Sequence, residues 1–378
     1  MNNLHICLNE FTNASRVLKQ TSSIASLDFI DHIHIAALHS GSLETNRSLN
    51  ENIHLKRFSL TTRNLGKNLF VQLFKYFEFC IRVAFHYRNK GVGIVNVHSL
   101  ALLPLGVILK YLYGAKLIYD THELETETNG LKGVRKQLSK LVERTLFPFV
   151  DLTIVVSENI ADWYRARYDV PRPPVVLNAP KLSTPTASDR FRTRFNLKEN
   201  QVVFLYQGVL MKGRGVKFLI DVFKSRVDDA AVIVFMGDGN LEEEVIRAAA
   251  ESSNIFYHPA VAPEVVLEYT VCADLGISFI EDTCLSYYYC MPNKLFEYAM
   301  AGLPVIVSDM KEMREFVTEY DFGYVCNTGD VKALCKLVDQ VLTEDLSTKR
   351  CHARLAAEKN SWEQQESKML EAYQILFR

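Results

Sequence analysis

Three short stretches combine residue types and spacings that suit chemistry. The first is Tyr206-Gln207-Gly208-Val209-Leu210-Met211-Lys212-Gly213-Arg214-Gly215-Val216. It follows an apolar, strand-like run and opens a helical one. Its three glycines permit positive φ and close backbone approach. Amides at a helix start favour an anion, and Lys212 or Arg214 can pair with it. The spacing fits neither a P-loop nor G-x-G-x-x-G, so the glycines by themselves fit a structural turn equally well. The second stretch runs from Tyr287 to Ile306 and includes Pro292-Asn293-Lys294-Leu295-Phe296-Glu297. Pro292 suits a helix start. Asn293 and Lys294 fall in the first turn, where a lysine is electrostatically unfavourable unless an anion sits there. Glu297 lies one turn on, on nearly the same face, where a carboxylate can accept from the two hydroxyls of a ribose. A solvated surface Lys and Glu is the plainer alternative. The third stretch, Leu117-Ile118-Tyr119-Asp120-Thr121-His122-Glu123, ends a strand with Asp120, His122 and Glu123. Ligands of open α/β sheets bind at that strand end.

Other chemistries lack support. No nucleophile elbow occurs, and no D-x-D triplet that would chelate a metal–diphosphate. The eight cysteines form no C-x-x-C and no zinc spacing, so they read as buried or idle thiols in a reducing compartment. A formal net charge of −1 gives no overall bias toward nucleic acid. Residues 1–180 hold 21 basic and 15 acidic side chains and the rest 22 and 29, which suggests two domains meeting different partners.

The elements that must position these residues alternate between strand and helix. Strands are expected at Leu4–Leu8, His32–Ala37, Ile53–Phe58, Ile94–Val97, Lys116–Tyr119 and Leu152–Val156. Helical patterns separate them at Ser15–Leu27, Lys67–Tyr87, Leu100–Tyr111 and Gly133–Phe147. A second set has strands at Val202–Gln207, Ala231–Met236, Ile255–His258, Leu275–Phe279, Pro304–Val307 and Gly323–Val325. Its helices are Val216–Lys224, Leu241–Ala250, Pro263–Thr270, Asn293–Ala301 and Val331–Leu342, and a last helix spans Trp362–Leu376. Short continuous apolar strands that alternate with helices imply parallel sheets covered on both faces. The expected fold is therefore α/β, with two doubly wound Rossmann-like domains. The divisions are an N-terminal domain at 1–180, a Pro- and Ser-containing linker at 181–200, a C-terminal domain at 201–360, and a helix at 361–378 packing back toward the N-terminal domain. The natural ligand site would be a cleft between the domains. No signal peptide is read at the start. The uncharged stretch 91–109 reads as a strand, a polar turn and a helix, not a membrane span.

Taken together in this order, the chain resembles the retaining GT-B glycosyltransferases of family four, the group 1 family. The resemblance rests on Tyr119 to Glu123, Gly208 to Gly215, Gly237-Asp238-Gly239, Asn293 to Val305 and Ser361-Trp362-Glu363. It implies a UDP- or GDP-linked sugar donor held by the C-terminal domain and an acceptor held by the N-terminal one. It makes Arg214 the diphosphate-binding cation, Glu297 the ribose-holding carboxylate and His122 the residue that faces the transferred sugar. Gly208, Asn293, Lys294 and Leu295 complete the donor side, with Lys294 supplying positive charge. Asp120, Glu123 and Arg16 stand on the sugar and acceptor side. No cofactor and no metal are expected. Two departures matter. Val209 replaces an arginine common in the family, and Tyr289 replaces the glutamate that usually contacts the donor sugar. They keep a catalytically weak nucleotide-sugar-binding subunit, or a GT-B epimerase, open as alternatives.

The expected acceptor is a lipid-linked molecule or a glycan in surface polysaccharide assembly, with no nucleic acid involved. The expected location is cytoplasmic, peripheral on the inner face of the plasma membrane. Between Arg47 and Lys90 lie nine basic residues and two acidic ones, an arrangement suited to an anionic membrane surface. Within it Phe70, Phe74, Phe77, Ile81 and Phe85 recur at helical spacing and are expected to pack inward on the sheet, with the basic residues outward.

Overall fold

A computed structural model describes residues 1–378 except Asn13, Lys67, Ala187 and Val227–Asp229. The N-terminal end of the expected Lys67–Tyr87 helix, and Asn13 in the segment preceding Arg16, therefore lie outside the described residues. The chain divides into two compact units, 1–176 with 366–378, and 177–365.

The first unit follows the order β1 (Asn2–Ile6), α1 (Ser15–Ile24), β2 (Ile33–Leu38), β3 (Asn46–Ser48), β4 (Ile53–Phe58), α2 (Leu69–Tyr87), β5 (Val92–Val97), α3 (Leu103–Tyr113), β6 (Lys116–Asp120), α4 (Gly133–Leu146), β7 (Leu152–Ile154) and α5 (Glu158–Tyr168). The sheet order is β3-β4-β2-β1-β5-β6-β7, parallel except for the short β3 at the edge. From β4 through α2, α3 and α4 to β7 the chain moves one way across the sheet. Right-handed crossovers therefore place those three helices on one face. Strand β1 is central, and its residues Leu4 and Ile6 are fully buried.

The second unit comprises α6 (Arg190–Phe195), β8 (Val202–Gln207), α7 (Val216–Ser225), β9 (Ala231–Met236), α8 (Glu242–Glu251), β10 (Ile255–His258), α9 (Val266–Thr270), β11 (Leu275–Ser278), α10 (Leu285–Tyr288), α11 (Asn293–Met300), β12 (Val305–Ser308), α12 (Lys311–Tyr320), β13 (Gly323–Cys326), α13 (Val331–Thr343), α14 (Ser347–Asn360) and the start of α15 (Trp362–Leu376). Its six strands are all parallel, in the order β10-β9-β8-β11-β12-β13. In both sheets the order reverses beside a central strand, the place where doubly wound folds bind ligands.

Two expectations need correction. Residues 181–200 are not a plain linker. They carry α6, whose Phe191 is fully buried and whose Phe195 packs on Phe256, with ring centroids 4.9 Å apart. The division instead falls between Val176 and Leu177. Val175 makes a single bridge to Val155 just before it. The second correction concerns α2. Its buried row is Phe79, Val83 and Tyr87, a second apolar set at helical spacing. Phe70, Phe74, Phe77, Ile81 and Phe85 face outward, with Phe70 75% exposed and Phe85 64% exposed. Glu78 helps fix this rotation, because it accepts from the backbone and hydroxyls of Thr61 and Thr62. No helix among the described residues is long and apolar enough to cross a membrane.

Candidate functional site

In the first unit, three adjacent strands converge their ends on one carboxylate. Asp120 ends β6, His98 follows β5 directly and His5 lies in β1. Asp120 is buried, and Arg16 in the first turn of α1 clamps it from both sides, Nη2 to Oδ1 at 2.6 Å and Nε to Oδ2 at 3.1 Å. Gln20 Nε2, His98 Nδ1 and His122 Nε2 approach Oδ2 at 3.0, 3.0 and 3.1 Å. Burial would push the carboxyl up, but Arg16 and then His122 outweigh it and hold Asp120 well below the usual carboxylate range. The ionised carboxylate can only accept, so both imidazole nitrogens that face it carry hydrogen. His98 Nε2 is then a lone pair that accepts from His5 Nδ1, 3.0 Å away. His122 turns Nε2 to Asp120, and its side chain is 37% exposed. Burial pushes His5 and His98 below the ordinary histidine range, so both stay neutral. Glu123 is exposed beside this group.

The Arg16 guanidinium is buried on Asp120, and Nη1 donates to Val176 O at 2.7 Å, so its charge is spent within the cluster. The ligand atoms of His98, Asp120 and His122 lie within 4.8 Å of one another, a set that could hold a cation. A dication there would sit against the Arg16 guanidinium, which already matches the carboxylate charge. The arrangement suits a hydrogen-bonded cluster better than a metal centre.

In the second unit, the turn after β8 begins at Gly208, with φ 114°, and ends at Gly215, with φ 70°, before α7. The backbone of Gly237 passes so close to Gly208 that an added Cβ would lie 1.9 Å from Gly208 O. This explains the Gly237-Asp238-Gly239 motif as backbone packing beneath the turn. Lys294 Cε lies 3.7 Å from where a Gly208 Cβ would stand. Its Nζ sits 3.8 Å from the centroid of the Tyr206 ring. The Arg214 guanidinium stacks 4.6 Å from the centroid of Tyr287. Burial, then the neighbouring Arg214, pushes Lys294 down to about 7. Two cations thus share a half-buried space lined by aromatic faces.

Glu297 is one turn into α11, and the buried Gln207 at the end of β8 donates to it through Nε2. Thr270 Oγ1, 2.9 Å from Gln207 Oε1, identifies the amide's acceptor end. Tyr298 Oη accepts from Gln207 N at 3.0 Å and lies 3.0 Å from Leu205 O, which ties α11 to β8. Asn293 is exposed at the open end of α11. Leu295 is fully buried and its N–H is taken by Pro292 O at 3.0 Å, so it supports the core and not the donor. A cavity of about 310 Å³ adjoins the turn and is lined in part by Lys212, Gly213, Lys217 and Glu281.

The structure thus groups Asp120, His122 and Arg16 in the first unit, and Gly208, Arg214, Lys294 and Glu297 in the second. His5, His98, Tyr206, Gln207 and Tyr287 were not singled out from sequence. His98 and Gln207 carried the same signal, a polar residue closing an apolar strand.

Two family models match the chain: "Glycosyltransferase Family 4" at residues 32–179 and "Glycosyl transferases group 1" at residues 201–344. The probable glycosyltransferase WbjE of Pseudomonas aeruginosa is 22% identical over 304 residues, covering 76% of this chain and 74% of that protein. Among solved structures, sucrose-phosphate synthase from Thermosynechococcus elongatus superposes with a TM-score of 0.79 at 14% identity, covering 100% of this chain and 99% of the other. HepE of Anabaena, solved in complex with UDP-glucose, superposes with a TM-score of 0.75 at 14% identity, with the same coverage. The fold is therefore GT-B. With family models matching most of both units, the chain belongs to the group 1 glycosyltransferases.

Proposed function

We propose that the protein is a retaining, metal-independent glycosyltransferase. It moves a sugar from a UDP- or GDP-linked donor to a hydroxyl of a lipid-linked or glycan acceptor in surface polysaccharide assembly. The observation that carries this reading is the pairing of Arg214 and Lys294 beside Gly208, with Glu297 held one turn away by Gln207. Two cations crowded enough to depress one of them are stabilised by an anion. A carboxylate at that distance offers two oxygens to a ribose diol. HepE's complexes with UDP and UDP-glucose support a nucleotide-sugar donor.

Departure of the nucleoside diphosphate builds negative charge on the β-phosphate. Arg214, Lys294 and the amides opening α11 stabilise it, in the role a divalent cation plays in other transferases. The acceptor hydroxyl attacks from the face the diphosphate leaves and passes its proton to the departing phosphate. His122 orients a sugar hydroxyl and is not the base. The second unit holds the donor, and the first unit holds the acceptor, at an anionic membrane surface when the acceptor is lipid-linked.

Incubation with a panel of nucleotide sugars, with and without glycan acceptors, tests the reading. Acceptor-dependent release of nucleotide is expected, undiminished by EDTA, with the donor's anomeric configuration kept in the product. Arg214→Ala should lower kcat more than it raises KM, because the charge it meets grows in the transition state. Nucleotide release that never depends on acceptor, or an inverted product, contradicts the proposal.

A further inference from the structure

More than half of the large apolar side chains exposed among the described residues lie on α2, α3 and α4. Beyond the outward row of α2, they include Tyr111 and Leu112 at the end of α3, and Val134, Leu138 and Leu141 along α4. These helices share one face of the sheet, as the direction of their crossovers requires. Tyr76 Oη donates to Ala101 O at 2.7 Å and Tyr113 Oη to Ala84 O at 2.6 Å, stitching α2 alongside α3 and its lead-in. The apolar side chains therefore form one layer and are not scattered singly, and contiguous patches of this kind mark interaction surfaces.

The charges on the same helices select the partner. The three helices carry seven Lys or Arg residues and only two acids. Both acids are already engaged. Glu78 serves Thr61, Thr62 and Arg82, and Glu143 is buried beneath the hydroxyls of Tyr119, Tyr164 and Tyr168. Arg82, Lys110, Lys136 and Lys140 are themselves paired, with Glu78, Asp151 and Glu127, whereas Arg88, Arg135 and Arg144 are exposed at the margins of the apolar rows. A large apolar face fringed by cations, with its carboxylates withdrawn, complements a surface that is apolar within and anionic at its boundary.

We infer that the α2–α3–α4 face is a monotopic membrane-docking surface. Phe70, Phe74 and Phe77 insert shallowly among acyl chains, and the flanking arginines meet anionic headgroups. This goes beyond electrostatic adhesion of a basic segment, because apolar insertion carries the larger share. The inference rests on the proposed function only for the claim that the acceptor is met there.

The test is co-sedimentation of the full chain with phosphatidylcholine vesicles, with and without phosphatidylglycerol, across a salt series. Wild type should bind the anionic vesicles, weaken with salt and retain part of its binding at high salt. The variant F70S/F74S/F77S should lose about tenfold or more in partitioning. The variant R88Q/R135Q/R144Q should lose the preference for anionic over neutral lipid while keeping weak binding to both. All substituted side chains are exposed, so folding is preserved. Limited proteolysis of each variant checks this, with the wild-type resistance of residues 1–176 expected. Absent vesicle binding, or variants that match wild type, overturns the inference. So does a concentration-dependent dimer that F70S/F74S/F77S dissolves, since a second copy would then cover the face. Vesicle binding by a protein that binds neither UDP nor GDP would sink the proposed function and leave this surface standing.

Discussion

Lys294 makes the donor reading measurable. With its ammonium pushed down to about 7 by burial and Arg214, it is half charged near neutrality in the ligand-free protein. A diphosphate beside it favours the charged form and raises that value. Binding must therefore take up protons. Affinity should be full below pH 7 and fall with rising pH, by up to about tenfold per unit, until the bound-state pKa is passed. A terminal phosphate loses its last proton near about 6, so the nucleotide is not the titrating partner above neutrality. Calorimetry of UDP at pH 8 in buffers of different ionisation enthalpy should show roughly one proton taken up, and Lys294→Met should abolish the uptake. Equal heats in all buffers would remove Lys294 from the diphosphate site. Glu297→Ala tests the other end of the ligand. Each lost charged hydrogen bond is worth about 1.5–3 kcal/mol, so UDP affinity should drop at least tenfold while uridine-free pyrophosphate binds as before. Unchanged UDP affinity in a folded mutant would exclude the ribose role. At this scale the sequence was informative wherever a residue's type was odd for its place, as with Lys294 in a first helical turn. It could not distinguish Leu295, a core residue inside a motif, from its neighbours. Nor could it show that Arg16 spends its guanidinium on Asp120, because that pairing joins residues 104 apart in the chain.

Secondary elements were legible in proportion to how fully they are buried. Strands Val202–Gln207 and Ala231–Met236 stand where their apolar runs indicated, since parallel strands covered on both faces read as continuous hydrophobic segments. Helices α5, α12 and α14 went unread. Helix α14 buries only a narrow row, Ala353, Ala356 and Ala357, under an otherwise polar sequence. Helix α2 was found but turned the wrong way, because it has two apolar rows and periodicity alone cannot say which one the sheet takes. The contact between α1 and β6 shows what holds such elements in register. Replacing Arg16 by Leu would leave the buried Asp120 carboxylate with only Gln20 and the histidines as donors. Breaking a buried pair from one side costs about 3–5 kcal/mol. Urea unfolding at pH 7 should show that loss, and Arg16→Lys should recover part of it without restoring the two-sided clamp. A deficit under about 1 kcal/mol would mean that Gln20 and the histidines suffice to carry the charge.

The whole chain passes between its two units twice, at Val176–Leu177 and again at Gln365–Glu366. The last thirteen residues thus complete a unit that begins more than three hundred residues earlier. Met369 and Tyr373 of α15 are each 1% exposed. Tyr373 Oη donates to Asn96 Oδ1 at 2.6 Å, and the Phe377 ring lies 5.1 Å from that of Phe29. Asn96 sits in β5, two residues before His98, so this contact braces the strand that delivers the histidine cluster. A chain ending at Gln365 would uncover the sites filled by Met369 and Tyr373. Large buried side chains cost about 3–5 kcal/mol each when removed, a sum comparable with the whole stability of a domain, about 5–15 kcal/mol. Truncation should therefore unfold or loosen the first unit while sparing the second. Limited proteolysis should cut within residues 1–176 and leave a protected fragment beginning near Leu177, and UDP should still bind that fragment's parent chain. The full-length variant Tyr373→Ala should show the same pattern more weakly, with a lower Tm for the transition belonging to the first unit. If the truncated chain resists protease throughout and melts as the intact protein does, the terminal helix is dispensable to the first unit and the division at Gln365 carries no energetic meaning.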